Sequence, residues 1–339
     1  MTIVLDAMGS DKRPDPEIQG AVEAVRQFGE EIILVGDEKI LKSKLAALKP
    51  GNLPISIVHA PEALDMTDHI EEARQKKQNS MRIGMELVKS DRAGAFITAG
   101  NTGMAMYYAK KVFDDIPGVI RPSLSAIFPV RNGYCVVLDI GANAECRPEF
   151  LLQFALLGSI YAEKMLGIKS PRVGLLSNGE EAGKGNELVK QTFPLLTGSG
   201  LNFIGNVEGK ELFGGQVDVV VTDGFTGNVL LKASEAVAKL LTDLLREYLM
   251  KSFRTKVGGL LAKPAFNKLK KIMDPSEVGA APLLGIDGLV FVGHGRSDAA
   301  AMTSAIRIAR LAVSMDLLGS LRQTITSKID TLLGINKVG

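Results

Sequence analysis

The sequence predicts a three-layer α/β/α sandwich on a mostly parallel sheet, and three observations carry that expectation. Short β-branched and apolar runs recur along the chain. Segments with helical spacing of apolar residues separate many of them, which is the alternation of βαβ units. The 339 residues are 46% hydrophobic and 23% charged, enough apolar material to bury a core on both faces of a sheet. The chain reads as one large α/β domain over 1–339, with two lobes around a cleft as the alternative arrangement. A helical hairpin over 240–273 stands apart by composition.

The first run, TIVL at Thr2 to Leu5, leads into Asp6 and has the length of a buried strand. Ile18, Val22, Val25 and Phe28 then fall on one helical face. Strand-like runs ending at Val35, Val58 and Thr98 follow, then LSAIF ending at Phe128 and YCVVL ending at Leu138. Leu151, Phe154, Ala155 and the segment from Gly158 to Ala162 mark a second apolar helix. Runs ending at Leu176, Ile204, Val221 and Val292 complete the set. Before the last of these, LLTDLLREYLMKSF reads as a helix, and Gly258 and Gly259 are expected to break it. Leu260 and Leu261 would form an apolar tip at that break, and Phe266, Leu269 and Ile272 a returning helix. From Arg246 to Lys271 eight basic residues face one acid, Glu247, so the net charge of +2 conceals a basic arm on a mildly acidic body. Such an arm suits an anionic membrane surface or an acidic partner. A solvated face or a dimerisation arm is the competing reading.

Several function classes are excluded. The charge balance does not advertise a nucleic-acid binder. Cys135 and Cys146 form no CxxC pair, and His59, His69 and His294 lack metal-ligand spacing, so no metal centre is expected. GKGNEL at Gly183 and GHGRSD at Gly293 lack the third glycine of a dinucleotide fingerprint. The stretch from Gly179 to Lys184 is one residue short of a phosphate loop, and no Ser or Thr follows Lys184. GRSDA around Ser297 lacks the last glycine of a nucleophile elbow. The first residues, MTIVLDAMGSD, lack the basic region and long apolar core of a secretory signal, and a cytoplasmic location is expected.

Six runs lead into small polar clusters: DAMGSD from Asp6, TAGNTG from Thr98, DIGANAE from Asp139, SNGEEAGKGNE from Ser177, TDGFTGN from Thr222 and GHGRSD from Gly293. In an open α/β sheet, ligands bind beyond the carboxyl ends of strands, where helix N-termini offer free N–H groups. The six clusters are therefore expected to converge on one rim, although turn chemistry alone accounts for any single one. Its charged groups are Asp6, Arg121, Lys184 and His294. Such a rim suits an anion held by backbone N–H groups and one or two cations. It offers no evident protein nucleophile, metal or electron carrier, and attack by a bound oxyanion such as phosphate on an activated acyl group requires none.

These clusters, with RP at Arg121, ECRPE ending at Glu149, PRVGLLSNGEE with KGNEL, DGFTGNVLLK and APLLGIDG, closely resemble the PlsX family of bacterial phosphate acyltransferases over essentially the whole chain. VGAAPLLG at Val278 departs from the Gly-Gly or Gly-Ala expected before Ala-Pro. The resemblance implies reversible transfer of a fatty acyl chain from the thioester of acyl carrier protein to inorganic phosphate. The acyl phosphate product would serve phospholipid synthesis through a membrane-bound glycerol-3-phosphate acyltransferase. It also implies an isocitrate/isopropylmalate dehydrogenase-like, phosphotransacetylase-like fold, a homodimer, no cofactor, and a cytoplasmic protein associated peripherally with the membrane.

On that basis phosphate is expected against Gly9, Ser10, Asn101, Thr102 and Gly103, with Lys184 supplying a compact positive charge. Helix capping is the alternative use of Asn101 and Thr102. Asn228, with the backbone around Gly227, is the candidate oxyanion donor. His294 would protonate the departing thiolate, hydrogen-bond the phosphate, or serve structure only. Asp6 would orient Lys184 or a backbone loop, and Asp6, Asn143 and Ser297 line the site. Lys251, Arg254, Lys256, Lys263, Lys268, Lys270 and Lys271, with Leu260 and Leu261, would meet the carrier protein or lipid. The rivals are a phosphotransacetylase-like enzyme using acyl-coenzyme A and a non-enzymatic membrane scaffold.

Overall fold

The computed structural model describes residues 1–68, 70–273 and 275–332. The first part of the chain alternates regularly through β1 (Thr2–Asp6), α1 (Asp15–Phe28), β2 (Glu31–Gly36), α2 (Glu38–Ala47), β3 (Ile55–His59), α3 (Ile70–Gln75), α4 (Ser80–Lys89), β4 (Ala95–Thr98) and α5 (Thr102–Phe113). The hairpin β5 (Ser123–Val130) and β6 (Gly133–Leu138) precedes α6 (Pro148–Leu166), β7 (Val173–Leu176), α7 (Glu187–Thr197), β8 (Phe203–Val207), α8 (Gly209–Gly214) and β9 (Val219–Val221). Two long helices, α9 (Gly224–Met250) and α10 (Phe253–Met273), lead to β10 (Ala280–Leu284), β11 (Val290–Gly293), α11 (Ala299–Ser314) and α12 (Leu317–Leu332).

All eleven strands join one sheet in the order β3-β2-β1-β4-β11-β10-β5-β6-β9-β7-β8, which is the predicted α/β sandwich. Its outer pairings are parallel, and the three central ones, β11 with β10, β10 with β5 and β5 with β6, are antiparallel. That centre reverses the sheet: β1, β2, β3, β4 and β11 run one way, and β6, β7, β8 and β9 run the other. The strand β10 carries no strong sequence signal, because AAPLL has few β-branched residues and a Pro.

The apolar runs become strands because both faces of the sheet are covered. Val219, Val220 and Val221, for example, are all fully buried. The helix α6 is apolar on every side, and it packs between β6 and β9 on one flank and α7 and α12 on the other. Phe154 and Tyr161 on it are fully buried.

The hairpin differs from expectation. The chain turns at Lys251 and Ser252, and α10 runs without interruption through Gly258, Gly259 and Pro264. Packing explains this, since α10 folds back on α9 and Gly259 faces Leu249, with room for contact within about one methyl group. Leu260 and Leu261 therefore sit along α10, and the tip consists of Met250 and Phe253. Replacing Phe154 by Ala should cost about 3–5 kcal/mol through lost burial and a residual cavity. A urea midpoint lowered without a change in slope would register it.

Candidate active site

The six clusters separate into two groups of three, because their strands run in two directions. The ends of β1, β4 and β11 form the first group. Asp6 accepts the Met8 N–H at 3.0 Å and the Thr98 hydroxyl at 2.7 Å, and Thr98 Oγ1 accepts the Gly100 N–H at 3.0 Å. The Asp11 N–H reaches the Gly295 carbonyl at 2.8 Å, which ties in the loop after β11. Gly9 is fixed by proximity, since a β-carbon there would stand 2.8 Å from the Gly100 nitrogen. Asp6 thus orients backbone loops, and no contact with Lys184 occurs among the described residues. Burial pushes the Asp6 carboxyl up, against the hydrogen bonds it accepts.

The sequence-predicted residues here have mixed fates. Asn101 is committed to structure: its Oδ1 accepts the Met104 N–H at 3.1 Å as the cap of α5, and its Nδ2 donates to the Met66 carbonyl at 3.0 Å. This is the helix-capping use of Asn101, and it leaves one Nδ2 hydrogen without a partner among the described residues. Thr102 and Gly103 open the same helix. Ser10 is buried, its N–H donates to Glu17 Oε1 at 3.0 Å, and its hydroxyl has no partner. Ser297 is nearly buried, and its N–H donates to the His294 carbonyl at 2.8 Å.

The second group gathers the ends of β6, β9 and β7. Here Asp139 is fully buried and collects the N–H groups of Leu124, Gly141, Ala142 and Asn143 at 2.7–3.2 Å. Asn143 Nδ2 is spent on the Pro122 carbonyl and on Asp139 Oδ2, so Asn143 shapes the loop. Asn228, on the second turn of α9, lies over Gly141, where an added β-carbon would stand 3.0 Å from Asn228 Nδ2. Lys184 belongs to this group. It is exposed, curls over Gly179 in the loop after β7, and has no ion pair among the described residues. Among the described residues no hydrogen bond joins it to Ser10, Asn101, Thr102 or Gly103, and the two sets follow strands of opposite direction.

One element connects them. Four residues beyond Asn228 and on the same face of α9, Lys232 places Nζ 3.1 Å from His294 Nε2 in the first group and 3.1 Å from Glu235. His294 Nδ1 accepts the Arg296 N–H at 3.2 Å. Burial first, then the Lys232 and Arg296 charges, hold its pKa below the ordinary value. Burial and the two cations disfavour the imidazolium, and because Nδ1 accepts the Arg296 N–H, a neutral ring carries its proton on Nε2, the atom that faces Lys232; acid, phosphate ligand and structural hydrogen-bonder all remain compatible with this geometry.

Sequence reasoning missed Lys232, although its position one turn after Asn228 within DGFTGNVLLK was a usable signal. It also missed Glu17, one of two acids in the first turn of α1, where acids are ordinary. The carboxylates of Glu180, Glu208 and Glu211 cluster within 4.8 Å, and Lys210 pairs with all three.

A family model described as a fatty acid synthesis protein matches residues 1–318. A phosphate acyltransferase from Elusimicrobium minutum is 48% identical over 327 residues, covering 96% of each chain. The chain belongs to the phosphate acyltransferase family. Another member, from Acidobacterium capsulatum, is 47% identical over 91% of this chain and 92% of its own. Among solved structures, a phosphotransacetylase from Streptococcus pyogenes superposes with a TM-score of 0.61 at 16% identity, covering 92% of this chain and 94% of that one. That likeness shows the shared fold. As a family member this phosphate acyltransferase is an enzyme that passes an acyl group to phosphate.

Glu17 gives the acyltransferase a pH-dependent stability. Burial and the nearby Asp6 charge raise it from 4.5 to about 7, so the folded protein binds more protons than the unfolded chain between those values. Stability contributed by this group therefore falls as pH rises from 4.5 to about 7, by about 3 kcal/mol, and is level above that. Glu17→Gln does not titrate. Its stability relative to the parent should climb across that window in denaturation curves taken from pH 4.5 to 8.

Proposed function

We propose that the donor is the fatty acyl thioester of acyl carrier protein, and that its acyl group is transferred to inorganic phosphate in the space flanked by the two loop groups and the first turns of α9. The spacing of Asn228 and Lys232 carries this reading: about 6 Å apart along the helix, they address one loop group each. Phosphate is held by the backbone N–H groups and Ser10 of the first group. Its oxygen attacks the thioester carbon, the carbon–sulfur bond breaks, and the sulfur leaves with the electron pair and takes up, by way of solvent, the proton that the hydrogen phosphate loses on forming the acyl phosphate. Asn228 donates to the tetrahedral oxyanion, where a preorganised donor is worth several kcal/mol. Lys232, beside His294, offers its charge to the anionic phosphate or departing sulfur. Lys184 approaches from the second group as an exposed cation. The reading uses no metal and no cofactor.

The hairpin supplies the partner surfaces. The helices α9 and α10 hold fifteen of the 24 exposed large apolar side chains among the described residues, so this arm needs a cover. Leu260 and Leu261 are 69% and 79% exposed, close to Lys256 and Lys263. That combination favours peripheral attachment to an anionic membrane, where a membrane-bound glycerol-3-phosphate acyltransferase would take the product. Lys251 is partly engaged, paired with Glu247 at 3.0 Å and stacked 4.0 Å over Tyr248. Arg254 and Lys268 remain available to lipid or to the acidic carrier protein, and the side chains of Lys270 and Lys271 lie outside the described ones. The inner apolar stretch of α9 suits a second copy of the chain in a homodimer. Among the described residues no helix is long and apolar enough to cross a membrane.

Two experiments test the reading. Release of free thiol from acyl carrier protein should require phosphate, and coenzyme A thioesters assayed beside it should turn over far more slowly. In that assay Lys184→Ala should raise the phosphate KM or lower kcat about 10- to 100-fold, and wild-type kinetics would remove Lys184 from the mechanism. In liposome flotation, Leu260→Asp with Lys263→Glu should release the protein from anionic vesicles and leave turnover in solution intact. Retention on the vesicles would assign the arm to another cover.

A further inference from the structure

Glu17 is fully buried in α1, and Pro14, which precedes that helix, makes no side-chain cap. Its Oε1 accepts the Ser10 N–H at 3.0 Å. Its Oε2 has no partner, nor has Ser10 Oγ, although the Ser10 side chain lies against the same carboxyl. No cation is paired with Glu17 among the described residues. The charged groups around the loop are Asp6 at the end of β1, the exposed Lys12, Arg13 bound to Asp65, Asp15 paired with Lys44 of α2, and Asp11, whose N–H reaches the loop that carries Arg296. Of these, Asp6 acts on Glu17 with like charge.

Two adjacent buried orphans are costly unless a proton serves both. As a carboxylate, Glu17 draws the Ser10 O–H toward itself and removes a donor from the loop. As the neutral acid it reverses that direction: Oε2–H donates to Ser10 Oγ, Oε1 keeps the Ser10 N–H, and the Ser10 O–H is free to donate elsewhere. Burial and Asp6 hold Glu17 up at about 7, and a phosphate dianion in the loop favours the neutral form further.

We propose that Glu17 is a positioning residue for the phosphate substrate: in its neutral form it fixes both the N–H and the Oγ of Ser10, and so turns the Ser10 hydroxyl into a donor for the bound anion. This rests on the reading of DAMGSD as part of the phosphate site. Gln reproduces the neutral acid, with one acceptor and one donor, and Met fills the same space with neither.

Steady-state rates with phosphate and acyl-carrier-protein thioester varied in turn test it. Glu17→Met and Ser10→Ala should each raise the phosphate KM about tenfold, the size of one lost hydrogen bond, and leave the thioester KM within about twofold. Glu17→Gln should keep the phosphate KM within about twofold of the parent. An unchanged phosphate KM in Ser10→Ala, a Gln variant as impaired as Met, or both KM values rising together would overturn the proposal. Should Glu17→Met fail to fold, Ser10→Ala and Glu17→Gln decide by the same criteria. A parent enzyme without phosphate-dependent turnover would defeat the reading of the site itself, whereas normal turnover with unaltered variants defeats only the role of Glu17.

Discussion

The site depends on how closely the first turn of α9 sits against the loop after β6. A β-carbon on Gly227 would stand 1.9 Å from the Asp139 carbonyl oxygen, and one on Gly224 would stand 2.6 Å from the Asn143 carbonyl oxygen. Only a chain without side chains at both positions can approach so near. The Gly224 N–H then donates to Asn143 at 2.8 Å, and the Asp223 carboxylate caps the helix through the Thr226 N–H at 2.8 Å. With the helix start fixed in place and direction, helical geometry settles where Asn228 and Lys232 go. Neither needs a long supporting network of its own.

Buried acids organise the loops around this helix. Asp139 gathers four backbone N–H groups, and Asp6 links two loops through Thr98. Desolvation, which still pushes both carboxyls up, is opposed here by convergent donors, and these also remove the freedom of otherwise irregular segments. The anion-binding potential of each loop therefore comes from N–H groups left over after the acids have taken theirs. Side chains such as Asn101 and Asn143, whose identity suggested ligand contact, take part in that internal scaffolding.

Much of this was legible in the sequence, and the limits have physical causes. Fully buried strands such as the valines of β9 announce themselves because both faces are apolar. The polar clusters were found because they follow such strands, and their glycines mark close backbone approach. What the sequence did not disclose is strand direction. The reversal arises over the three antiparallel pairings of β11, β10, β5 and β6, among which β10, AAPLL, is a weak β-former held by its neighbours, and without that pairing pattern six clusters look like one rim. The hairpin turn was misplaced for a related reason: Gly258, Gly259 and Pro264 disfavour a helix locally, and packing on α9 overrides them. Lys232 and Glu17 escaped notice because a lysine and a glutamate on helices are ordinary until a neighbour from distant sequence gives them a task.

The continuity of α9 has a mechanical consequence. Its 27 residues form a rod of about 40 Å, with Asn228 near one end and the turn at Met250 at the other. A rod has a fixed length, so any surface that engages the turn is held at a set standoff from the chemistry, and the reactive centre cannot be pressed directly onto it. A long-chain product would have to travel that distance while its hydrocarbon is kept from water. The row of apolar residues along the rod, Val229, Val237, Leu241 and Leu244, lies along that route.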